Sequence, residues 1–403
     1  MRYIQSYTRL ELAELLLPFC RKVAKKRRKK ASEEVREEYA VNKSHFHAKQ
    51  VFTYIYKEHV DSFEQMTELS KGMREWLHAN TEIYRLETFT EQRSQDGTMK
   101  LLWKLADKKT VESVIIPATG QDAKITEKGN EFKGTENSAE LNTKNWNRMT
   151  ICISSQVGCA MACKFCLTGV QGFDRQLEVH EIVTQVSEAA RTYPLSNIVF
   201  MGMGEPLHNP DAVLKACQIF RDDAGLAFPR RRVTVSTSGI VPQIDRLREE
   251  ADVTLAISLS GTTDPQREDM MPVNKKWPLE DLIESCRRFQ GDGKVWITFE
   301  YVMLKDVNDT LEDAQRLVHL LEGIRAKVNL IPFNSFPGTI YERSEPEQVE
   351  RFKALLIDQG VFTSVRISRG QDILAACGQL RSAFGTARGT ERHVPTGYQT
   401  QGE

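Results

Sequence analysis

The chain has 403 residues, 40% hydrophobic and 27% charged, and its 55 Lys+Arg balance 55 Asp+Glu to a formal net charge of zero. That length supports two or three domains with a sizeable core, and the composition is that of an ordinary soluble protein. No run of about 18 apolar residues exists, which excludes a transmembrane helix. The opening MRYIQSYTRLELAELLLPFC carries Glu11 and Glu14 in its apolar part, so a signal peptide is not expected and a cytoplasmic chain is. Eight cysteines in such a chain favour metal or redox chemistry over a disulfide framework.

Residues 1–87 read as a small helical domain. HAKQVFTYIYKEHV puts Val51, Tyr54 and Ile55 on one side, and SFEQMTELSKGMREWLHAN continues the period. Within it RKVAKKRRKK, residues 21–30, packs eight basic residues into ten positions, followed by the acidic SEEVREEYA. A solvated helix face with i,i+4 ion pairs and a phosphate-contacting arm both fit this run. Residues 88–147 read as a β extension plus a polar insertion. KLLWKLAD and TVESVIIP are two strands joined by a turn at Asp107, Lys108 and Lys109, and 118–147 is an aperiodic loop or mobile insertion.

From 148 to 345 the pattern alternates. Strand-like runs MTICISS, NIVFMGM, RVTVSTS, VTLAISLS, VWITFEYVML and AKVNLIPF are mostly separated by helical ones. Such alternation predicts an α/β protein with a parallel sheet and right-handed crossovers. Six units are too few for a closed eight-stranded barrel, so a partial (β/α)6 barrel is expected, with its site at the strand C-terminal ends. Residues 346–403 form a C-terminal extension: a helix, EQVERFKALLIDQ, a strand, TSVRISR, and a tail expected to be disordered.

The chemistry concentrates in GCAMACKFC, residues 158–166, which offers Cys159, Cys163 and Cys166 on a loop after the first barrel strand. Zinc ribbons supply a second cysteine pair of similar spacing, and neither Cys152 nor Cys377 completes one here. Three thiolates suit a [4Fe–4S] cluster whose fourth iron is left for a substrate. The C-x3-C-x2-C loop, with Phe165 before the last cysteine, resembles the radical S-adenosylmethionine (SAM) superfamily, in which SAM binds the unique iron.

Further stretches end the strands at the same rim. MGMGEP brings Gly204 and Glu205; STSG and ISLS bring hydroxyls; IPFN brings Asn334, an amide suited to an adenine edge. SRGQDILAACGQL carries Cys377, flanked by Gly370 and Gly378 in what reads as a swinging loop. With VESVIIP, CISSQVGC, GMGEP, VSTSG, NLIPFN and FPG, residues 45–380 resemble the RlmN/Cfr family of radical SAM RNA methyltransferases, and FHAKQVFTYIYKEHVDSFEQMTELSK resembles that family's N-terminal domain.

The resemblance implies that Cys159, Cys163 and Cys166 hold one [4Fe–4S] cluster. Gly204, Glu205, Ser236, Ser258, Leu259, Ser260 and Asn334 would bind SAM. Cys377 matches the cysteine methylated by a first SAM, Cys152 its thiol partner, and Glu112 the residue assigned as proton acceptor. C2 of adenine is an electron-poor sp² carbon that does not attack a sulfonium, so a methyl parked on Cys377 would add to it as a carbon radical. Release requires proton loss, to Glu112 or the Cys152 thiolate, and a Cys152–Cys377 disulfide. The implied function is C2 methylation of an adenosine in 23S rRNA, with tRNA a second substrate, by a monomer supplied with electrons by flavodoxin or ferredoxin. C8 methylation and a non-catalytic RNA-binding assembly factor are the alternatives. Cys20, Cys217 and Cys286 sit in helical patterns and read as core residues. SLSGTTD departs from the family, which carries His-Ala where this chain has Ser260 and Gly261.

Overall fold

A computed structural model describes residues 2–118, 148–293 and 295–381. Apart from Ala118, the insertion expected at 118–147 lies outside the described residues, as does the tail beyond 381.

Thr8 opens α1 (Arg9–Arg27) by exchanging hydrogen bonds with Glu11 in a capping box, and Ser32 caps α2 (Glu33–Tyr56) through the Val35 N–H. Leu12, Leu16, Cys20 and Ala24 recur every fourth residue, all buried, so α1 lays one stripe against α2 and the two form a helical hairpin. Helix α3 (Lys71–Asn80) starts at Ser70. A strand follows that the sequence does not advertise, β1 (Glu87–Arg93). ETFTEQR is largely exposed because it forms the outer edge of the sheet, where charged residues discourage further pairing.

The strands β2 (Met99–Lys104), β3 (Thr110–Pro117) and β4 (Met149–Cys152) continue from it as an antiparallel meander. After β4 the chain departs into a small hairpin of β5 (Gln156–Gly158) and β6 (Phe173–Gln176), which encloses the cysteine loop and the short helix α4 (Leu167–Gln171). From there strands and helices alternate: α5 (Val179–Ala189), β7 (Leu195–Phe200), α6 (Pro210–Arg221), β8 (Val233–Thr237), α7 (Val241–Glu250) and β9 (Thr254–Ser258). Two helices, α8 (Asp264–Met270) and α9 (Leu279–Gln290), precede β10 (Ile297–Met303), and α10 (Leu311–Leu320), β11 (Ala326–Pro332), α11 (Pro346–Asp358) and β12 (Phe362–Val365) complete the order.

The main sheet runs β1-β2-β3-β4-β7-β8-β9-β10-β11-β12, parallel from β4 onward. Val233, Val235, Leu255, Ile257, Ile297, Phe299 and Val328 are all buried, as expected of parallel strands whose crossover helices cover the faces. Strands β1 and β12 remain edges, so the sheet does not close on itself. The chain is therefore an α/β protein built on a mostly parallel open sheet, with a small N-terminal helical region. Cys20, Cys217 and Cys286 lie in the core as expected.

Candidate active site

The β5–β6 hairpin sets the cysteine loop. Cys159 N donates to Gly172 O at 2.9 Å, and a Cβ on Gly158 would stand 2.0 Å from that same carbonyl. With φ of +77° as well, only glycine serves at 158. The loop is closed by Cys166 N to Cys163 O and braced on the barrel by Lys164 N to Met270 O. Cys159, Cys163 and Cys166 are half-buried. Burial raises the thiol pKa of each: Cys159 is pushed up to about 12, and Cys163 well above its ordinary value with Cys166 and Cys159 adding to the effect. Thiols that oppose one another's ionisation become thiolates when cationic metal neutralises them. Among the described residues no three His, Cys, Asp or Glu side chains converge on a single point. A cubane offers each thiolate its own iron, so its ligands need no common vertex, and this donor set fits one.

Glu205 follows Gly204, whose φ is +97° and where a Cβ would meet the Gln156 side chain at 2.5 Å. The Glu205 carboxylate is buried, accepting from Ser238 N at 2.7 Å and Leu207 N at 3.0 Å. Burial raises its pKa, and those donors oppose the rise. It lies near enough to hinder ionisation of Cys159 and Cys163. Ser236 and Ser258 lie at the C-terminal ends of β8 and β9, Ser236 two residues before the amide of Ser238 that Glu205 accepts from. Leu259 is fully buried, its N–H given to Glu300 O, and offers the rim no free donor. Ser260 has φ of +50° and its hydroxyl accepts from Val302 N at 3.2 Å, so that group is engaged with β10. Asn334 Nδ2 donates to Cys377 O at 3.2 Å and its Oδ1 accepts from Gln371 at 2.9 Å. Its amide edge holds the Cys377 loop.

Cys152 and Cys377 lie near one another, and Glu112 shares a sheet face with Cys152 and receives the segment that follows Cys377. Register places Lys100 opposite Val114 and Val114 opposite Cys152, with Glu112 two residues along β3 on the same face. Cys152 is buried; burial raises its thiol pKa, and the neighbouring Cys377 raises it further. Cys377 itself is exposed to solvent; the surrounding protein raises its thiol pKa, Arg366 lowers it, and Glu300 and Cys166 raise it. Glu112 is buried, 3.2 Å from Lys100 Nζ, and accepts from Arg381 N at 2.9 Å. Burial raises its pKa against the pull of Lys100, which favours a carboxylate able to take a proton.

Sequence reasoning passed over two residues that build this site. Arg267, on α8, is fully buried and donates to Leu259 O at 3.0 Å, Ser238 O at 2.5 Å, Ser258 O at 3.3 Å and Asn274 Oδ1 at 2.7 Å. It splints the ends of β8 and β9, and burial pulls its guanidinium down to about 10, opposed by Cys163. Lys100 was read only as a strand residue. An arginine among polar helix residues and a lysine in a strand carry no local signal of burial.

Profiles of known families match two stretches: the radical SAM superfamily over residues 153–321 and the ribosomal RNA large subunit methyltransferase N-terminal domain over residues 38–83. A dual-specificity RNA methyltransferase RlmN of Syntrophotalea carbinolica is 43% identical over 366 residues, covering 90% of this chain and 92% of its own. One from Geobacter sulfurreducens is 45% identical over 339 residues, covering 84% and 87%. Among solved structures, a radical SAM methyltransferase from Sphaerobacter thermophilus superposes with a TM-score of 0.76 at 35% identity, covering 94% of this chain and 99% of its own.

Proposed function

Because the chain belongs to the RlmN family of radical SAM RNA methyltransferases, we propose that it methylates C2 of an adenosine in 23S rRNA, and in tRNA, through a methyl carried on Cys377. The observation that carries this reading is the convergence of Cys152, Glu112 and the Cys377 loop beside the three-cysteine loop. Cys159, Cys163 and Cys166 would hold a [4Fe–4S] cluster, which together with SAM supplies a one-electron cleavage that releases a hydrogen-abstracting 5′-deoxyadenosyl radical. Glu205, Gly204, Ser236 and Ser258 line the strand ends where SAM would lie. Leu259 and Ser260 would act there as scaffold, and Asn334 would have to exchange its loop contacts for an adenine. The segment 1–87 is taken as the accessory RNA-binding unit, 88–147 as the β extension and insertion, 148–345 as the barrel, and 346–403 as the extension that brings Cys377. Electrons would come from a flavodoxin or ferredoxin, and a monomer suffices.

The residues account for the remaining steps. Loss of one hydrogen from the Cys377 methyl leaves a carbon radical, which forms a C–C bond to adenine C2 and so joins RNA to the enzyme. The one electron the adduct must lose could return to the oxidised cluster that the three cysteines would hold, and the C2 proton goes to Glu112 or the Cys152 thiolate. Cys152 sulfur attacks Cys377 sulfur, the C–S bond breaks, and the methylene left on C2 takes a proton to become methyl. The resulting disulfide is reopened by an external dithiol.

The test is Cys152→Ala. The methyl loads and the adduct forms, but no thiol remains to release it, so the enzyme accumulates bound to RNA as a nuclease-sensitive band of raised mass on a denaturing gel. Cys377→Ala should methylate nothing, and the double variant should lose the band. Normal turnover by either single variant would falsify the shuttle.

A further inference from the structure

The free end of the α1–α2 hairpin has no role in the chemistry above. Helix α1 starts against the barrel, where Arg9 pairs with Asp222 and Asp223, and Glu11 with Lys215. Helix α2 returns to the same place, giving Thr53 Oγ1 to Ala224 O and Lys57 Nζ to Asp223 O. At roughly 1.5 Å per residue, α1 carries its last turn some distance, about 28 Å, from that base. The tip there is cationic: Lys22, Lys25, Lys26, Arg27, Lys29 and Lys30 are all exposed.

The ion pairs that would make this run an ordinary solvated face are missing. Arg21 is bound by Glu37 across the hairpin, yet among the described residues those six cations have no carboxylate within ion-pair range. The helix C-terminus welcomes two or three of them, at a few tenths of a kcal/mol each, but six on one tip repel. Two other cations of the hairpin lie over rings: Arg28, at the tip, is 4.5 Å from the Tyr39 centroid, and Lys43, farther along α2, is 4.9 Å from the Phe46 ring, which is 51% exposed. The run also precedes the residues matched by the N-terminal-domain profile, which begin at 38.

We propose that this tip docks the phosphate backbone of the RNA substrate, with Phe46 offering a face to an unpaired base. The proposal rests on the RNA-methyltransferase reading. Unpaired cations at the tip and an exposed ring farther along the same hairpin match an extended polyanion that also presents π-faces at every residue, which RNA provides and a lipid surface does not.

The experiment measures binding of the full-length protein to an RNA stem-loop with an unpaired adenosine, by fluorescence anisotropy across a salt series. Replacing Lys25, Lys26, Lys29 and Lys30 together by Gln should weaken binding by tenfold or more and reduce the log Kd against log salt slope by about 3, since each phosphate contact on a single strand contributes roughly 0.7 to it. The same four changed to Arg should keep both. Phe46→Ala should weaken binding two- to tenfold at an unchanged slope, because stacking releases no counterions. Gln variants with wild-type affinity and slope overturn the tip while leaving an active RNA methyltransferase. Loss of binding to phosphatidylglycerol vesicles with RNA binding retained also overturns it. Failure of the enzyme reading is distinct: wild-type protein then binds no RNA and methylates none, and both proposals fall.

Discussion

The two thiols that would exchange RNA are held by opposite means. Cys152 is the last residue of β4, buried, and flanked on one side by Val114 of β3 and on the other by Val199 of β7. Sheet register fixes it, and it can move only if the sheet does. Cys377 sits in a loop fastened by one backbone bond, Leu167 N to Gly378 O at 2.7 Å, and otherwise mostly by side-chain contacts. Ser94 Oγ donates to Asp372 at 2.6 Å, Asp96 accepts from Gly370 N at 2.8 Å, Thr168 Oγ1 donates to Leu380 O at 2.6 Å, and Asn334 and Gln379 bridge to the end of β11. The swinging loop read from its two glycines is thus a latched one. The proposed shuttle would need one fixed sulfur and one releasable sulfur; sheet pairing would suit the first, and a loop held mostly by side chains the second.

The Lys100–Glu112 pair joins the two regions, since Glu112 lies beside Cys152 and also accepts from Arg381, while Lys100 reaches Leu374 O at 3.4 Å. Breaking it should have the largest effect on stability. Lys100→Met leaves a buried carboxylate without its cation, and such losses cost about 3–5 kcal/mol. The Lys100→Met, Glu112→Leu double variant should recover most of that, because apolar replacement of a whole buried pair is near neutral. Urea unfolding of the four corners of this cycle measures it; additive losses would mean that the pair is not coupled.

Acid titration sharpens the same point at smaller amplitude. Burial raises the Glu112 pKa above the ordinary glutamate value of 4.5, so between 4.5 and the folded value the native state holds a proton that the unfolded chain has lost. Stability therefore falls as pH rises through that window and is flat above it. Glu112→Gln has no proton to lose. The stability of wild type relative to Glu112→Gln should decline as pH rises from about 4.5, measured by unfolding midpoints from pH 4 to 8. A difference that grows in favour of wild type would mean that Lys100 outweighs burial.

How much of this was legible in sequence follows the same division. The parallel strands announce themselves because both faces are buried, giving apolar runs such as NIVFM and VTLAIS, and the three-cysteine spacing is local. Strand β1 is missed because an exposed edge needs no apolar pattern. The β5–β6 hairpin is missed because GFDRQ has no strand-like alternation. The latches escape altogether: Ser94 to Asp372 spans 278 positions and Glu112 to Arg381 spans 269. Such contacts exist only after the sheet has brought the ends together. Arg267 is hidden for a related reason, since three of its four acceptors are backbone carbonyls, which any residue could supply.

The smallest effect concerns the outer latch. Ser94→Ala removes the hydroxyl that donates to Asp372, a partly exposed contact whose loss should cost about 1 kcal/mol. Asp372→Asn weakens the same contact and the one from Gln95 N. Neither change touches the β3–β4 ladder, so the cost should be local. Hydrogen exchange of amides in 370–381 should accelerate about fivefold, the equivalent of that free energy at 25 °C, while the amides of Ile151 and Cys152 keep their wild-type protection. If the strand amides accelerate in step with the loop, then Cys152 and Cys377 belong to one cooperative unit, and the contrast between a fixed and a releasable sulfur is lost. A loop that loosens alone leaves the two thiols separately held, and release of Cys377 then takes no opening of the sheet.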